Sequence, residues 1–270
     1  DSLYQQGWRG GIFIVDDNFI GNKKKLKSEI LPAIVGWMKK RRYPFFLSTE
    51  ASINLADDEE LMRLMVAAGF NTVFIGVESP NEESLVECGK VLNKNRDLIA
   101  SVKKIQNYGM QVQGGFIVGF DNDPLSIFKS QISFIQNSGI VTAMVGLLNA
   151  PQGTRLYHRL QKEHRLLNGF SGNNTDCSIN FVPKMNYETL LNGYQHILKT
   201  IYTPKQYYER IKTFLKEYKP QRKTSVANLK FYHIKAFFKS MWFVGIKETG
   251  RRHYWALFII TLFRYPRSFP

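Results

Sequence analysis

The chain has 270 residues, 44% of them hydrophobic and 14% aromatic, and a formal net charge of +15 at pH 7. This length and composition suffice for a packed core, which excludes a disordered chain. The two cysteines, Cys88 and Cys177, lie far apart without C-x-x-C spacing, so they indicate neither a disulfide framework nor a cysteine-rich metal site, and a reducing, cytoplasmic compartment is the default expectation.

Five apolar segments in the first part of the chain each lead into polar side chains. They cover residues 11–15, 45–49, 72–77, 111–119 and 142–148. Helical patterns separate them, with N-caps expected at Asn22 and at Asp57 or Asp58, a third helix near residues 97–108, and Pro124 as the first residue of the fourth helix. A strand recurs about every thirty residues with a helix between, which predicts parallel βα units joined by right-handed crossovers.

The same pattern predicts how the sheet is ended and covered. Gly69, Gly109 and Gly139 each stand after a helix and shortly before a strand, where a positive φ ends a helix without strain. Each strand is nearly all apolar, which predicts a sheet covered on both faces. Active sites of parallel barrels and doubly wound sheets lie at the carboxyl ends of the strands, so the polar residues there are expected to share one site.

Four segments of the chain resemble one known family. In chain order they read VDDNFIG from Val15, GVESPNEESL from Gly76, GGFIVGFD from Gly114 and PQGTRLY from Pro151. They look like strands two to six of a radical S-adenosylmethionine (SAM) enzyme, and most of all like the subgroup that carries an amino-terminal cobalamin-binding domain. The resemblance covers roughly residues 1–165. It implies an α/β fold, a partial (β/α)6 TIM-like barrel of parallel strands in which strands two to six are present.

The remainder, residues 166–270, looks like the small carboxyl-terminal domain of unassigned role that some of these proteins carry. It is expected to be basic and mostly α-helical, with helices over residues 187–202, 204–218 and 226–244 after a polar loop at 171–176. The chain is therefore predicted to contain two domains, 1–165 and 166–270.

The resemblance also implies cofactors. Its members hold a 4Fe–4S cluster with three cysteines of a C-x-x-x-C-x-x-C loop after strand one, and cleave SAM reductively to a 5'-deoxyadenosyl radical. This sequence contains no such motif, and two isolated cysteines cannot supply three ligands. The cluster loop and the cobalamin domain are therefore expected upstream of Asp1, and the chain alone is expected to be inactive. The implied reaction is methyl transfer to an unactivated carbon, with an electron donor and a small-molecule or lipid-like substrate as partners.

Half of the SAM-binding residues that the resemblance implies follow the second and fourth family strands. Asp16 or Asp17, with Asp16 favoured, is expected to pair with the methionine ammonium beside Asn18. Turn chemistry and helix capping are the alternative for this corner. Glu78 and Ser79 are expected to accept hydrogen bonds from the ribose or to bind the methionine end of SAM. Capping of the helix that follows is the alternative for this pair.

The other half surrounds the expected adenine position. Gly115 and Gly119 lack a Cβ, which lets the backbone approach a flat ring closely, although glycines of this kind also serve packing. Leu148, Asn149 and Pro151 belong to a loop that resembles the family segment covering adenine through backbone contacts. The sequence DND at 121–123 replaces the proline, glycine and acidic residue that often follow strand five of the family.

The carboxyl-terminal part carries most of the positive charge. From Lys199 onward there are sixteen Lys and Arg against three Glu. An apolar run of about nine residues near the end lies between basic and aromatic flanks and is too short to span a bilayer. Peripheral membrane contact and docking of this segment on the barrel both remain open, and no nucleic acid is expected.

Two other functional classes remain open. A barrel lyase or hydrolase could use a divalent metal on the carboxylates at the strand ends, and the chain taken alone could be a noncatalytic membrane-surface binding module. The five histidines form no metal-ligand spacing, so no metal-binding residue is predicted. Neither a G-x-S-x-G elbow nor a G-x-x-x-x-G-K-[ST] phosphate loop is present.

Overall fold

A computed structural model describes residues 1–167, 177–220 and 231–266. Five strands form one parallel sheet in the order β1-β2-β3-β4-β5. The strands are β1 (Gly11–Ile14), β2 (Phe46–Glu50), β3 (Phe70–Glu78), β4 (Gln111–Val118) and β5 (Ala143–Leu147). Neighbours in the chain are neighbours in the sheet, as in a barrel. The predicted α/β fold of parallel strands with a helical carboxyl-terminal region is confirmed.

Helices connect the strands and then continue the chain beyond β5. They are α1 (Ser2–Gln5), α2 (Lys23–Lys25), α3 (Leu31–Lys40), α4 (Glu59–Ala68), α5 (Glu82–Glu87), α6 (Leu98–Asn107), α7 (Ile127–Ser138), α8 (Arg155–Lys162), α9 (Tyr187–Ile201), α10 (Pro204–Glu217), α11 (Phe231–Trp242) and α12 (Arg251–Arg264). Two π-helical turns, Leu26–Ile30 and Phe243–Lys247, precede α3 and follow α11, and 3-10 turns occupy Phe19–Asn22, Ile53–Asp57 and Val91–Asn93.

Two predicted caps, Asn22 and Asp58, hold their helices, and Asp97 caps a third. The side chains of Asn22, Asp58 and Asp97 each accept a hydrogen bond from a backbone N–H in the first turn of the helix that follows. Asp57, the alternative to Asp58, is instead ion-paired with Arg96. The glycines predicted to end α4, α6 and α7 all have positive φ.

The prediction for Pro124 is wrong. Helix α7 begins at Ile127, whose N–H donates to the carbonyl of Pro124 at 2.9 Å, so the proline lies in a turn before the helix. Helix α8 ends at Lys162, and Leu166 pairs with Phe181 in an antiparallel bridge.

The sheet is covered on one face only among the described residues, contrary to the prediction. Along β4, every second residue is buried, and the residues between them are partly exposed. The second face, which we call the open face, carries small or polar residues such as Ser48, Gly76 and Gly115, together with the exposed side chains of Phe13 and Met144. The sequence did not reveal this alternation of buried and partly exposed residues, because glycines on the open face do not interrupt an apolar run.

The carboxyl-terminal helices pack against the barrel. Helix α9 contributes Leu190, Tyr194, Ile197 and Ile201 to the same core as the strands. Arg210 of α10 is 0% exposed, and its guanidinium donates to the carbonyls of Ile201, at 2.7 Å, and Val141, at 3.0 Å, and to the side chain of Gln136. Burial lowers the pKa of Arg210. The division at residues 165 and 166 stays a prediction, and its two sides share one core.

Two predictions fall wholly or partly outside the described residues. The polar loop at 171–176 lies outside them, and so does the first part of the helix predicted over 226–244, whose described portion begins at Phe231. Within the described part of the chain, no helix combines the length and apolarity needed to cross a bilayer.

Candidate functional site

The strand ends bring the predicted site residues to one edge of the sheet. Asp16 follows β1, Glu78 ends β3, and Asn149 follows β5. Because the strands are parallel and adjacent, their carboxyl ends lie along the same edge. This is the shared position that the sequence predicts.

The corner after β1 is built as a turn. The carboxylate of Asp16 accepts from the backbone N–H of Asn18 at 2.9 Å. The side-chain oxygen of Asn18 accepts from the N–H of Ser52 at 3.0 Å and from its hydroxyl at 3.2 Å, which joins the ends of β1 and β2. Asp17 is exposed beside them. The structure therefore gives Asp16 and Asn18 the turn chemistry held as the alternative, and ammonium binding at either carboxylate stays a prediction.

Glu78 sits in an unusual backbone conformation at the end of β3. Its φ is +66°, a value that residues other than glycine rarely adopt. Its carboxylate forms an ion pair with Lys90 at 3.0 Å. The pair lies over Gly76, where a Cβ would collide with both side chains. A local backbone strain held at the rim of a sheet is characteristic of functional positions, so this geometry favours a binding role for Glu78.

Ser79, the residue after Glu78, takes part in capping the next helix. Its side chain is buried, and the hydroxyl accepts from the N–H of Asn81 at 3.2 Å. Asn81 in turn caps α5 by accepting from the N–H of Ser84 at 3.0 Å. Capping of the following helix, the alternative for this segment, is therefore present. Contact of Ser79 with SAM stays a prediction.

The two glycines of the β4 motif differ in their surroundings. Gly115 lies on the open face beside the ring of Phe74, where a Cβ would be 2.9 Å from Cζ. Gly119 is buried with φ +109°, and its N–H donates to Asp123 at 2.8 Å. Asp123 also accepts from the N–H of Phe120 at 3.1 Å and from the hydroxyl of Ser84 at 2.6 Å. Burial raises the pKa of Asp123 in spite of these bonds.

A cleft of about 590 Å³ opens between the carboxyl end of α5, the loops after β4 and β5, and α8. Its lining combines apolar and polar side chains, a combination that suits a ligand with a flat ring and polar substituents. The lining residues are Val86, Glu87, Cys88, Gly89, Phe120, Leu148, Asn149, Pro151, Thr154, Arg155, Leu156 and Arg159. Three predicted residues, Leu148, Asn149 and Pro151, thus meet in one cleft. Asp16, Asp17, Asn18, Glu78, Ser79, Gly115 and Gly119 are not among its lining.

The loop after β5 is held rigidly by a side chain from the carboxyl-terminal part. Asn180 accepts from the N–H of Ala150 and donates to its carbonyl, both at 2.8 Å. The amide of Asn149 donates to the carbonyl of Ser178 at 3.2 Å and accepts from the N–H of Asn180 at 3.2 Å. The Asn149 side chain therefore orders the loop, and the ligand contacts that remain for this segment are those of its backbone and of Leu148 and Pro151.

Charged residues brace the same edge. Asp121, 3% exposed, pairs with Arg165 at 2.6 Å and with Arg159 at 3.1 Å. Glu87 pairs with Arg159 at 2.9 Å and accepts from the backbone N–H of Asp121 at 3.2 Å. Burial opposes ionisation of Asp121, but the hydrogen bond from Arg165 and the charges of both arginines outweigh it and lower the pKa of this carboxyl group.

Sequence reasoning missed several of these residues. Lys90, Glu87, Arg159, Arg165 and Asn180 were not singled out, although each contacts a predicted site segment. Their partners lie far along the chain; Glu87 and Arg159 are 72 positions apart. No local pattern marks such a pair. The one available signal was the acidic DND run at 121–123, which needed cationic or N–H partners if it were buried.

The chain does not itself fit an iron–sulfur cluster. Cys88 lines the cleft, where burial raises the pKa of its thiol, and Cys177 lies before the segment that contains Asn180. In residues 1–167, 177–220 and 231–266, no three His, Cys, Asp or Glu side chains come together in a way that could hold a metal ion.

Comparison with known proteins places this geometry in context. An uncharacterized methyltransferase of Synechocystis sp., sll1242, is 39% identical over 257 residues, which cover 94% of this chain and 48% of that protein. The hopanoid C-2 methylase of Rhodopseudomonas palustris is 30% identical over 272 residues, which cover 98% of this chain and 50% of that protein. The chain thus spans about half the length of these curated relatives. A domain of unknown function, DUF4070, matches residues 154–270.

A solved structure shares the fold. The radical SAM methyltransferase TsrM from Kitasatospora setae, solved with cobalamin and a 4Fe–4S cluster bound, superposes on 73% of this chain and 39% of its own, with a TM-score of 0.51 and 16% identity. The resemblance that the four strand-end motifs indicate is confirmed by these comparisons.

Proposed function

We propose that this chain, which belongs to the radical SAM proteins, is the SAM-binding barrel core of a methyltransferase. The observation that carries the proposal is the cleft at the carboxyl edge of the sheet, which gathers residues from the loops after β4 and β5 and from helices α5 and α8. A methyltransferase related over nearly the whole of this chain supports the reaction class.

The residues of the chain bind and orient SAM. Phe120, Leu148 and Pro151 offer the apolar surface against which the adenine ring packs, and the backbone of the loop after β5 provides its polar contacts. Glu78 accepts from ribose hydroxyls, and Asp17 pairs with the methionine ammonium. The ion pairs of Asp121 and the Asn180 clamp hold the two loops that form the cleft wall.

The remaining cofactors belong to the whole protein. In the whole protein, a 4Fe–4S cluster would supply the electron for reductive cleavage of SAM, and cobalamin would carry the methyl group. Since this chain lacks the three thiolates, we infer that the cluster ligands and the cobalamin domain lie outside it and that the chain alone is inactive. An electron donor is then an obligatory partner. A small-molecule or lipid-like substrate is supported by the relative named as a hopanoid methylase.

The rival class, a metal-dependent lyase or hydrolase, has less support. Such an enzyme needs carboxylates that are free to converge on a cation. Here Asp121 is paired with two arginines, Glu78 with Lys90, and Asp16 holds a turn.

The test uses the longer protein that includes the segment upstream of Asp1. After anaerobic reconstitution we expect a brown, iron-containing protein that forms 5'-deoxyadenosine from SAM. Pro151→Trp should fill the cleft and weaken SAM binding by about tenfold or more. Pro124→Trp, another exposed proline outside the cleft, is the matched control and should leave binding unchanged. A colourless reconstituted protein would overturn the proposal, as would calorimetry that detects Mg²⁺ but not SAM.

A further inference from the structure

We propose that one face of α11 and the π-helical turn after it binds the surface of an anionic lipid bilayer. This basic apolar face consists of Ile234, Lys235, Phe238, Lys239, Trp242, Phe243, Ile246 and Lys247. The first six line a shallow groove of about 560 Å³. The inference concerns attachment rather than catalysis and does not rest on the proposed function.

The orientation of this face is fixed by the packing of the opposite side. Phe237 packs on Phe258 of α12 with ring centroids 6.1 Å apart. The hydroxyls of Ser240 and Tyr254 are 3.0 Å apart, and the indole N–H of Trp255 donates to the carbonyl of Gly245 at 2.8 Å. The helix is therefore docked on α12, and the basic apolar face is the side turned away from that contact.

The large apolar side chains on the face are exposed. Phe238 is 62% exposed and Trp242 is 53% exposed, and Ile234, Phe243 and Ile246 have about half their surface in solvent. Single exposed apolar residues are common, but several of them on one helical face indicate an interaction surface. Phe263 and Ile259 of α12 add exposed apolar area in the same region of the chain.

Charge identifies the occupant as anionic. Residues 231–266 contain six Lys and Arg against one Glu. Lys235 and Lys239 each follow an exposed apolar residue along the helix, and the Lys247 ammonium lies 5.2 Å from the ring of Phe243 and 5.7 Å from that of Trp242. Such lysines keep their charge in water beside an apolar surface.

The mixture favours lipid over a protein partner. Lysine is depleted from the cores of protein–protein interfaces, whereas helices that lie in a membrane interface combine Lys and Arg with Trp, Phe and Leu. Trp and Phe reach headgroup depth, and each Lys near an anionic surface adds about 1 kcal/mol of attraction. The described helices are too short and too polar to span, so contact at the surface is the mode that remains for them.

The first experiment is vesicle flotation with the full 270-residue chain. We expect it to float with phosphatidylcholine vesicles that contain phosphatidylglycerol, and to float much less with phosphatidylcholine alone. Phe238→Ser with Trp242→Ser should reduce binding by about tenfold or more. Leu125→Ser, which removes an equally exposed apolar side chain from the loop before α7, should leave it unchanged.

The second experiment separates charge from apolar area. Lys235→Glu with Lys239→Glu should reduce binding to anionic vesicles by about tenfold or more. Lys199→Glu with Lys205→Glu is the control, because it changes the net charge equally at exposed positions on other helices. The logarithm of its binding to anionic vesicles should fall by less than half of the fall in the Lys235→Glu, Lys239→Glu variant.

Three outcomes would overturn the proposal. They are the absence of flotation with vesicles that contain phosphatidylglycerol, equal flotation with and without phosphatidylglycerol, and equal losses in the target and control variants. A dimer that Phe238→Ser and Trp242→Ser dissociate would, with the first outcome, identify a second copy of the chain as the occupant. Circular dichroism of each variant establishes that it is folded, and the charge pair keeps the test decisive if the serine pair does not fold.

Discussion

Arg165 forms a bidentate ion pair with Asp121, in which one guanidinium nitrogen lies 2.6 Å from Oδ1 and another lies 2.8 Å from Oδ2. This pair joins the loop after β4 to the segment after α8, where the barrel gives way to the carboxyl-terminal part. Both side chains are largely buried, so the pair is screened little by solvent. It is the main brace of the cleft wall.

Replacing Asp121 by Asn should lower the free energy of unfolding by about 3 kcal/mol, because two arginines lose a buried partner while the shape of the side chain is kept. Urea denaturation measures the change. Asp57→Asn is the control, since Asp57 forms a comparable pair with Arg96 but is 53% exposed, and its loss should cost at most about 1 kcal/mol. Equal losses in the two variants would contradict the structural role given to Asp121.

The Asp121 contribution should also depend on pH. Since the folded chain holds the pKa of Asp121 below that of the unfolded chain, the stabilisation is complete above the unfolded value of about 3.9 and is lost as pH falls through the lower folded value. The difference in unfolding free energy between the parent and Asp121→Asn should therefore be constant near neutral pH and shrink in acid. A difference that grows in acid would show the opposite sign of the pKa shift.

Asn180→Ala should destabilise the chain by about 3 kcal/mol, because it leaves a buried N–H and a buried carbonyl of Ala150 without their partner. In the longer protein, SAM affinity should fall with it, since the loop that carries Leu148 and Pro151 loses its clamp. Asn137→Ala, at an exposed amide that bonds within α7, should change neither quantity. If Asn180→Ala is destabilised but binds SAM unchanged, the hydrogen bonds of Asn180 do not support the SAM-binding site.

Glu78→Gly should be more stable than Glu78→Ala by about 1 kcal/mol, because both lose the ion pair with Lys90 but only glycine adopts φ +66° without strain. Thermal or urea unfolding of the two variants gives this difference directly. SAM binding to the longer protein should fall equally in both, since both lack the carboxylate. A loss confined to Ala would instead attribute binding to the backbone conformation.

Gly139→Ala should cost about 3 kcal/mol. The φ of +71° strains any Cβ, and that Cβ would lie 2.9 Å from the backbone nitrogen of Phe214 in α10. Gly153→Ala is matched in φ, at +84°, but meets no atom within 4 Å, and should cost only about 1 kcal/mol of backbone strain. The difference between them measures how tightly α10 seats against the barrel.

Local features of the fold followed from the sequence because their causes are local. Asn22, Asp58 and Asp97 cap helices with side chains that act within three residues, and strand spacing alone predicted adjacent parallel strands. Pro124 was misplaced because Asp123, folded back on two backbone N–H groups, delays the helix. That fold-back depends on tertiary burial, which no local pattern reveals.

The sequence predicted that the polar strand ends share one edge of the sheet, but not the contacts that hold them there. The strand ends gave the correct edge, because parallel strands must align their carboxyl ends. The supports, however, join residues that are distant in the chain. Asn180 holds Ala150 from 30 positions away, and Arg165 reaches Asp121 across 44. Only packing brings them together, so the ordering of the loop by the Asn149 side chain could not be predicted locally, and ligand contact by the backbone of this loop stays a prediction.

Strand β5 and helices α7 and α9 share one core, and the Arg210 guanidinium bonds across it. The barrel and the carboxyl-terminal helices should therefore unfold cooperatively. Heating should melt them in a single calorimetric transition, and a protein shortened to the barrel alone should expose the surface that Leu190 and Ile197 cover and aggregate. A domain boundary that a family resemblance indicates therefore need not separate two units that unfold independently.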